Sequence, residues 1–296
     1  MKNLHGLSSQ VVCRSIGRIY DLTRGPFPPV VRIETTNACN ARCVICPHQQ
    51  MTRPVQHMDE ALYERIIEEC AAGACKEIHL HNFGEPLLDK RLEERVARAK
   101  QKGVRKVKIF SNGSLLTAER ARGLIEAGLD EIKISFDGAS CEEFESIRQP
   151  LRFDRVVANV HQLVSIRNEL GAAMKIGVAC CSTSDRAGTM QALEKVVDHF
   201  SFGKVHNWAS EDFPSRQGRV RKPCSRLWRT LTILAGGEVA LCCLDYDGQF
   251  LLARIDQGTA IRAVFDSPAY REVRRRHREA RQAEIGLCAG CTKSFL

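Results

Sequence analysis

The chain has 296 residues, of which 44% are hydrophobic and 27% are charged, and this composition predicts a folded globular protein with one large core or with a core and a small appendage. No apolar segment reaches the roughly 20 residues that span a bilayer, and residues 1–6 lack the pattern of a signal peptide, so we expect a cytoplasmic protein. The formal charge of +9 leaves an acidic partner, a phosphorylated substrate or nucleic acid open.

Strands and helices alternate strictly from residue 30 to about residue 210. We predict strands at 30–35, 77–80, 107–110, 132–136, 175–179 and 204–208, and helices at 61–71, 91–100, 118–127, 154–170 and 190–200. This alternation predicts a parallel sheet with right-handed crossovers. Six units are too few for a closed eight-unit barrel, so the expected α/β fold is a partial parallel (β/α)6 TIM-like barrel.

The pattern changes after residue 210, where Pro214, Gly218 and Pro223 interrupt it. Residues 231–234 and 239–242 flank a glycine turn and predict a β-hairpin. A basic helix at 267–281 follows. We therefore predict an N-terminal extension at 1–29, a barrel at 30–210 and a small hairpin-plus-helix subdomain at 211–296.

Four polar or glycine-containing loops follow the first four strands, at residues 37–46, 82–86, 111–113 and 137–138. In parallel α/β folds the loops at the carboxyl ends of the strands share one face, which carries the reactive groups. The sequence therefore predicts a cofactor site on that face.

The first of these loops carries three cysteines, Cys39, Cys43 and Cys46. Fourteen cysteines in a chain without a secretory signal indicate metal ligands rather than disulfides. A structural zinc ion takes four ligands, and a closed iron–sulfur cubane also takes four. Three thiolates would leave one iron of a [4Fe–4S] cluster open to another ligand.

A second cysteine set follows the predicted barrel. Cys224, Cys242, Cys288 and Cys291 flank the hairpin and a C-terminal loop, and they fit either a zinc ribbon or a second cluster. Cys243 is an alternative to Cys242, which we prefer because of its spacing from Gly237. The remaining cysteines are expected to be small buried hydrophobic residues, namely Cys13, Cys70, Cys75, Cys141, Cys180 and Cys181.

Taken together, the Cys-x3-Cys-x2-Cys loop and the three motifs after the next strands resemble the radical SAM superfamily. Those motifs are Gly84-Glu85-Pro86, Ser111-Asn112-Gly113 and Ser135-Phe136-Asp137-Gly138. The resemblance implies that Cys39, Cys43 and Cys46 hold a [4Fe–4S] cluster whose fourth iron binds S-adenosylmethionine. It also implies reductive cleavage to a 5′-deoxyadenosyl radical in an oxygen-sensitive enzyme.

The resemblance further assigns S-adenosylmethionine binding to residues at the strand ends, namely Gly84, Glu85, Pro86, Ser111, Asn112, Ser135 and Arg148. The loop of Glu85 would receive the amino group. Ser135 and Arg148 would hold the carboxylate, and Ser111 and Asn112 would lie nearer the ribose. A helix-starting Glu-Pro and a surface ion pair are the alternatives for Glu85 and Arg148.

The second cysteine set resembles the SPASM extension of that superfamily in its shortened twitch form. This resemblance implies one auxiliary [4Fe–4S] cluster on Cys224, Cys242, Cys288 and Cys291. An oxidation that passes an electron to this cluster needs a base, for which Asp245 is the candidate by position. A turn-forming role is the alternative for Asp245, and further candidate bases are Glu238, Asp247 and Asn207.

The resemblance to twitch-type dehydrogenases implies a radical SAM oxidoreductase that oxidises an alcohol on a sugar, an aminosugar or a similar small molecule. A radical SAM peptide maturase is the alternative within the family. A non-catalytic zinc protein that binds nucleic acid is the alternative from another class, which the scarcity of aromatic residues near the basic helix disfavours.

The implied electron donor is an acidic protein such as flavodoxin or ferredoxin, for which the basic helix offers a docking surface; no membrane partner is expected. Residues 206–213 are expected to line the substrate pocket with Trp208 and acidic groups.

Overall fold

The computed structural model describes residues 8–181, 185–208 and 220–295. The strands are β1 (Val30–Ile33), β2 (Glu77–His79), β3 (Lys106–Ser111), β4 (Glu131–Ser135), β5 (Lys175–Cys180), β6 (His199–Phe202), β7 (Thr230–Ile233), β8 (Glu238–Ala240) and β9 (Leu251–Arg254). The helices are α1 (Ser9–Thr23), α2 (Glu60–Ala72), α3 (Leu92–Gln101), α4 (Ala118–Glu126), α5 (Cys141–Ile147), α6 (Phe153–Glu169), α7 (Arg186–Gln191), α8 (Arg226–Arg229), α9 (Ile261–Phe265), α10 (Pro268–Arg278) and α11 (Gly286–Ala289).

In the described residues these strands form one sheet in the order β6-β5-β4-β3-β2-β1-β7-β8-β9. Strands β1 to β6 pair in parallel with their neighbours. The predicted partial parallel α/β barrel is therefore confirmed, and all four predicted loops leave the carboxyl ends of β1 to β4. None of the described helices is long and apolar enough to cross a membrane.

Along the barrel strands, fully buried residues alternate with partly buried ones, and the two sets point to opposite sides of the sheet. In β3, Val107, Ile109 and Ser111 are buried against the helical layer, while Lys106, Lys108 and Phe110 point into the barrel. Burial of one branched apolar side chain on the helical side stabilises the fold by about 1.5–3 kcal/mol. The apolar core therefore lies on the helical side, and the inward positions of the strands can carry charged residues that face the barrel interior.

The end of the barrel differs from the prediction. The expected helix at 190–200 and strand at 204–208 are wrong, since α7 ends at Gln191 and β6 begins at His199. The His199 ring lies over Gly177 of β5, where an added Cβ would be 2.4 Å from its Nε2 atom. Phe200 and Phe202 stack on the other side at 6.2 Å. This alternation is that of a strand, although the apolar residues just before it follow a helical spacing.

The predicted C-terminal hairpin is present as β7 and β8, but it belongs to the barrel sheet. Strand β7 pairs in parallel with β1, and the third antiparallel strand, β9, was not predicted. This pairing brings the second cysteine set beside the first cysteine loop. The proposed division near residue 210 lies outside the described residues, and the N-terminal extension contains helix α1, which was not predicted.

The basic helix α10 carries less free charge than the sequence indicated. Arg275, Arg276 and Arg281 form ion pairs with Glu272, Glu279 and Glu284. Arg278 pairs with Asp21 of α1, and Arg274 is buried against Phe265 and Tyr270. This face therefore offers little uncompensated charge to an acidic protein or to nucleic acid.

Candidate active site and two thiol clusters

A cavity of about 390 Å³ opens at the carboxyl ends of the barrel strands, and we call it the barrel cavity. Cys39, Cys43 and Cys46 line it, together with residues from the loops after β2, β3 and β4. The residues Gly84, Glu85, Ser111, Asn112, Ser135 and Arg148, which the sequence placed at a cofactor site, also line it. Pro86 is buried and begins the short turn Pro86–Leu88.

The three thiols of the first loop suit iron rather than solvent. Burial raises the pKa of the Cys39 thiol to about 12, and burial likewise raises the pKa values of Cys43 and Cys46. A buried thiol of this kind is protonated and inert unless a cation replaces its proton. The donor set therefore fits an iron cluster with one iron left open.

Glu34, directly after β1, is a positioning residue that the sequence analysis did not identify. Its side chain is fully buried and pairs with Arg53 at 2.8 Å. It also accepts hydrogen bonds from Asn82 and Phe83 of the second loop and from Ala235 of the hairpin turn. One carboxylate thus fixes three segments around the cysteine loop.

The Gly84-Glu85-Pro86 loop packs directly against the cysteine loop. The amide of Glu85 donates a hydrogen bond to the Ala38 carbonyl at 2.8 Å. The Glu85 carboxylate is buried and accepts hydrogen bonds from Ser111 Oγ at 2.7 Å, Asn112 N at 2.7 Å and Leu87 N at 3.1 Å. The carboxylate thus accepts three hydrogen bonds, and two of them connect the loop after β2 to the loop after β3.

Gly84 permits this close approach, which predicts the effect of Gly84→Ala. Its φ is +97°, and an added Cβ would lie 2.7 Å from the Ala38 carbonyl oxygen. Gly103→Ala is the matched control, because its φ is +89° but an added Cβ would meet nothing within 4 Å. We expect Gly103→Ala to cost only the backbone strain of about 1–2 kcal/mol.

Gly84→Ala is expected to cost about 1–3 kcal/mol more through overpacking and to lower iron incorporation. Urea unfolding of the two variants, with iron analysis after anaerobic reconstitution, measures both effects. Equal unfolding free energies and equal iron contents for the two variants would contradict the role of Gly84.

Arg148 lies beside the first cluster site rather than at the surface. It is 9% exposed, pairs with the buried Asp137 and lies with Nη1 3.8 Å from the Cys43 sulfur. The surface ion pair considered for it is therefore wrong. Asp137 also accepts the amide of Cys181 and so joins the loops after β4 and β5. Ser135 lines the same wall.

The second cysteine set also converges. Cys224, Cys242, Cys288 and Cys291 line a separate small cavity, which we call the auxiliary cavity. In the described part of the chain, no three Cys, His, Asp or Glu side chains are grouped closely enough to hold a single metal ion. Four thiols around one cavity are the ligand set that a [4Fe–4S] cluster takes, with each thiolate bound to a different iron.

Cys242 and Cys243 line different cavities. Cys242 faces the auxiliary cavity, where its sulfur accepts hydrogen bonds from Leu244 N and Arg226 Nη1. Cys243 lines the barrel cavity beside Arg32. Arg226 and Leu244 border both cavities, so a thin wall separates the two thiol sets.

An outer cavity of about 650 Å³ adjoins the barrel cavity, and His206, Asn207, Trp208 and Asp245 line it. Trp208 Nε1 donates to the Ile45 carbonyl, which joins this segment to the cysteine loop. The segment lines the cavity as expected, but the acidic residues Glu211 and Asp212 lie outside the described residues.

Asp245 is 2% exposed and accepts hydrogen bonds from the amides of Gln249 and Phe250. These contacts fit the turn-forming alternative. Of the other candidate bases, Glu238 pairs with Arg254, Asp247 binds Thr52 and Arg53, and Asn207 binds the Gly290 carbonyl.

Two of the six cysteines expected in the core are elsewhere. Cys13, Cys70, Cys75 and Cys180 are buried, but Cys141 is exposed at the first turn of α5. Cys181 is half-buried and lines the barrel cavity. It follows the last residue of β5, and the carboxyl end of an inner barrel strand is the signal that could have identified it.

Two family models match the chain. Residues 33–178 match the radical SAM superfamily, and residues 224–292 match an iron–sulfur cluster-binding domain, SPASM. The GTP 3′,8-cyclase of Chlorobaculum tepidum is 35% identical over 136 residues, which are 46% of this chain and 41% of that protein. The chain thus matches less than half the length of this relative.

Solved structures share the fold. BtrN in complex with AdoMet and 2-DOIA has a TM-score of 0.63 at 18% identity, covering 89% of this chain and 92% of that chain. Streptococcus suis SuiB bound to precursor peptide SuiA has a TM-score of 0.66 at 12% identity, covering 88% and 69%. Both family matches coincide with the two thiol sets. The chain belongs to the radical SAM superfamily, carries a short C-terminal SPASM domain, and has iron–sulfur clusters and S-adenosylmethionine as its cofactors.

Proposed function

We propose that the chain is a radical SAM oxidoreductase that dehydrogenates an alcohol carbon of a small molecule such as a sugar or aminosugar. The observation that carries this proposal is the shared wall between the barrel cavity and the auxiliary cavity, formed by Arg226 and Leu244. A substrate in the barrel cavity lies next to a second redox centre, which can take the electron that an oxidation must release.

Different residues of the barrel would bind the first cluster, orient S-adenosylmethionine and exclude water. Cys39, Cys43 and Cys46 hold the first cluster, and the loops after β2, β3 and β4 orient S-adenosylmethionine through Gly84, Ser111, Asn112, Ser135 and Arg148. When bound, these cofactors supply a 5′-deoxyadenosyl radical, which removes a hydrogen atom from the substrate. Trp208 and Phe83, whose rings lie 5.5 Å apart, help to exclude water from the cavity.

The substrate radical must then lose one proton and one electron to become a carbonyl. Cys224, Cys242, Cys288 and Cys291 would hold the auxiliary cluster, which would supply an acceptor for that electron. His206 is the better placed proton acceptor, because it lines both the barrel cavity and the outer cavity and its buried Nδ1 has no hydrogen-bond partner. Asp245, the base predicted from position, has backbone donors on both carboxylate oxygens.

Cavity size supports a small substrate. Sites of about 300–1,000 Å³ hold ligands of drug-like size, and the outer cavity, which adjoins the barrel cavity, falls in that range at about 650 Å³. An acidic flavodoxin or ferredoxin is the proposed electron donor for the first cluster, and cytoplasmic residence accords with such a donor.

The test is substrate-dependent cleavage of S-adenosylmethionine by the anaerobically reconstituted protein. Three substrate classes are compared: aminocyclitol and aminosugar alcohols including 2-DOIA, short peptides, and GTP. We expect only the first class to stimulate 5′-deoxyadenosine formation, with an equimolar product lighter by two hydrogens. Deuterium at the oxidised carbon should appear in 5′-deoxyadenosine.

Each of the other results would overturn this proposal and would assign the chain a different reaction. Stimulation by peptides alone would assign the chain to peptide maturation, as the precursor-peptide complex of SuiB illustrates. Stimulation by GTP alone, with a rearranged product of unchanged mass, would assign it a cyclase reaction such as the name of its sequence relatives indicates.

A further inference from the structure

The inward face of the barrel carries more positive than negative charge. Sheet register places Arg32 of β1 beside His79 of β2, His79 beside Lys108 of β3, and Lys108 beside Glu131 of β4. These residues therefore form one layer across the barrel, below the first cluster site.

The carboxylates of this region form ion pairs with lysine and histidine side chains. Glu131 contacts Lys106 at 2.6 Å and Lys108 at 2.8 Å, and Lys133 is 3.9 Å away. Glu77 pairs with His79 at 2.6 Å. Arg32 has no carboxylate within ion-pairing distance among the described residues, and its polar partners are the His79 ring and the Cys243 thiol.

Arg32 is aimed at the barrel cavity. It is half-buried and lines that cavity, while Nη2 lies 3.4 Å from His79 Nδ1. Its buried Nε has no hydrogen-bond partner. A buried guanidinium without a counter-ion or full hydrogen bonding is costly, and a bound anion would remove that cost.

The His81 ring lies in the same wall. Its Nδ1 accepts the amide of Phe110 at 3.2 Å, and the ring also forms a hydrogen bond with the backbone of Lys108. The ammonium groups of Lys108 and Lys133 lie 5.3 and 5.9 Å from the centroid of the Phe110 ring. They add positive charge next to the wall of the cavity that Phe110 forms. Arg32, whose Nε has no hydrogen-bond partner, and the His81 ring thus both line the barrel cavity.

We propose that Arg32 and His81 bind an anionic group of the substrate, a phosphate ester or a carboxylate. This inference rests on the proposed function, because it names the substrate class of the same cavity. Of its two residues, His81 lies in the loop after β2, which also carries residues assigned to S-adenosylmethionine. Arg32 lies instead on β1, beside Cys243 and the β7 side of the sheet. Anchoring the anion there holds the substrate between the two thiol sets.

The experiment measures binding of radiolabelled orthophosphate to the reconstituted holoenzyme by anaerobic equilibrium dialysis with saturating S-adenosylmethionine. Competing succinate tests for a carboxylate, and unlabelled glycerol phosphate tests for a phosphate ester. We expect Arg32→Gln to weaken phosphate binding by about tenfold or more, because a charge-assisted contact is lost. Arg32→Lys should weaken it by about threefold, since it keeps the charge without the fork of donors.

Arg122→Gln is the matched control, because Arg122 lies on α4 with a side chain 41% exposed and, among the described residues, its carboxylate partner is Glu169. Its phosphate affinity should equal that of the wild type. Stronger competition by glycerol phosphate assigns a phosphorylated substrate, and stronger competition by succinate assigns a carboxylate. Equal binding in Arg32→Gln and wild type, or complete displacement of phosphate by S-adenosylmethionine, overturns the subsite.

Failure of the subsite and failure of the proposed function are distinguishable. Arg32→Gln should keep the iron content of the wild type and the slow cleavage of S-adenosylmethionine that occurs without substrate. If the wild type binds phosphate through Arg32 but oxidises none of the alcohols offered, the subsite stands and the proposed reaction fails. If alcohols are oxidised and Arg32→Gln binds phosphate normally, the reaction stands and the subsite fails.

Discussion

Replacing any one of Cys39, Cys43 and Cys46 with alanine is expected to remove the first cluster and to abolish cleavage of S-adenosylmethionine. A methyl group cannot bind iron, and the three thiols are the only cysteines on the loop that enters the barrel cavity between β1 and α2. Iron should fall from about eight to about four atoms per chain, because the auxiliary site is intact. Formation of 5′-deoxyadenosine should fall by about a thousandfold or more.

The measurements are iron and sulfide analysis, electron paramagnetic resonance of the reduced protein, and 5′-deoxyadenosine formation with dithionite. Cys141→Ala is the control, because this thiol is exposed on α5 and away from both cavities. It should keep about eight irons and full cleavage. A Cys43→Ala protein that keeps both properties of the wild type would refute the assignment of the loop.

We expect the iron content to fall by half rather than to zero because the two thiol sets line separate cavities. The two thiol sets come from opposite ends of the sequence and reach the same region because β7 pairs with β1. Each set nevertheless lines its own cavity. Loss of one cluster should therefore leave the cavity of the other largely unchanged.

Much of this arrangement could be predicted from sequence because its signals are local. Strand-helix alternation predicts the parallel barrel, and parallel strands place their following loops on one face. Cys39, Cys43 and Cys46 lie in one short loop, so their convergence needs no knowledge of tertiary packing. The same reasoning placed Glu85 and Ser111 at neighbouring strand ends, where they are 2.7 Å apart.

The residues that were missed depend on long-range packing. Glu34 joins three segments that are distant in sequence, and Arg32 has no carboxylate partner among the described residues, where Glu131 and Glu77 pair with other residues. Inward charged residues in a strand also follow the same alternation as solvent-exposed ones. Hydropathy therefore could not distinguish the barrel interior from the surface.

The choice between Cys242 and Cys243 is another case that spacing alone could not decide, and it leads to a second expected result of large effect. Cys242→Ala should lose the auxiliary cluster, and its iron content should fall to about four atoms per chain. Cleavage of S-adenosylmethionine without substrate should continue, since the first cluster is intact. Substrate oxidation should cease, because the electron acceptor beside the barrel cavity is gone.

Cys243→Ala is the matched variant, since it removes the adjacent thiol with the same change in volume. Cys243 lines the barrel cavity, so this variant should keep about eight irons and both reduced-cluster signals. Iron analysis and electron paramagnetic resonance of the two proteins, with urea unfolding to confirm that both fold, make the comparison. If Cys243→Ala loses the second cluster and Cys242→Ala keeps it, the ligand is Cys243. In that event the wall between the cavities is arranged differently, and the path proposed for the second electron fails with it.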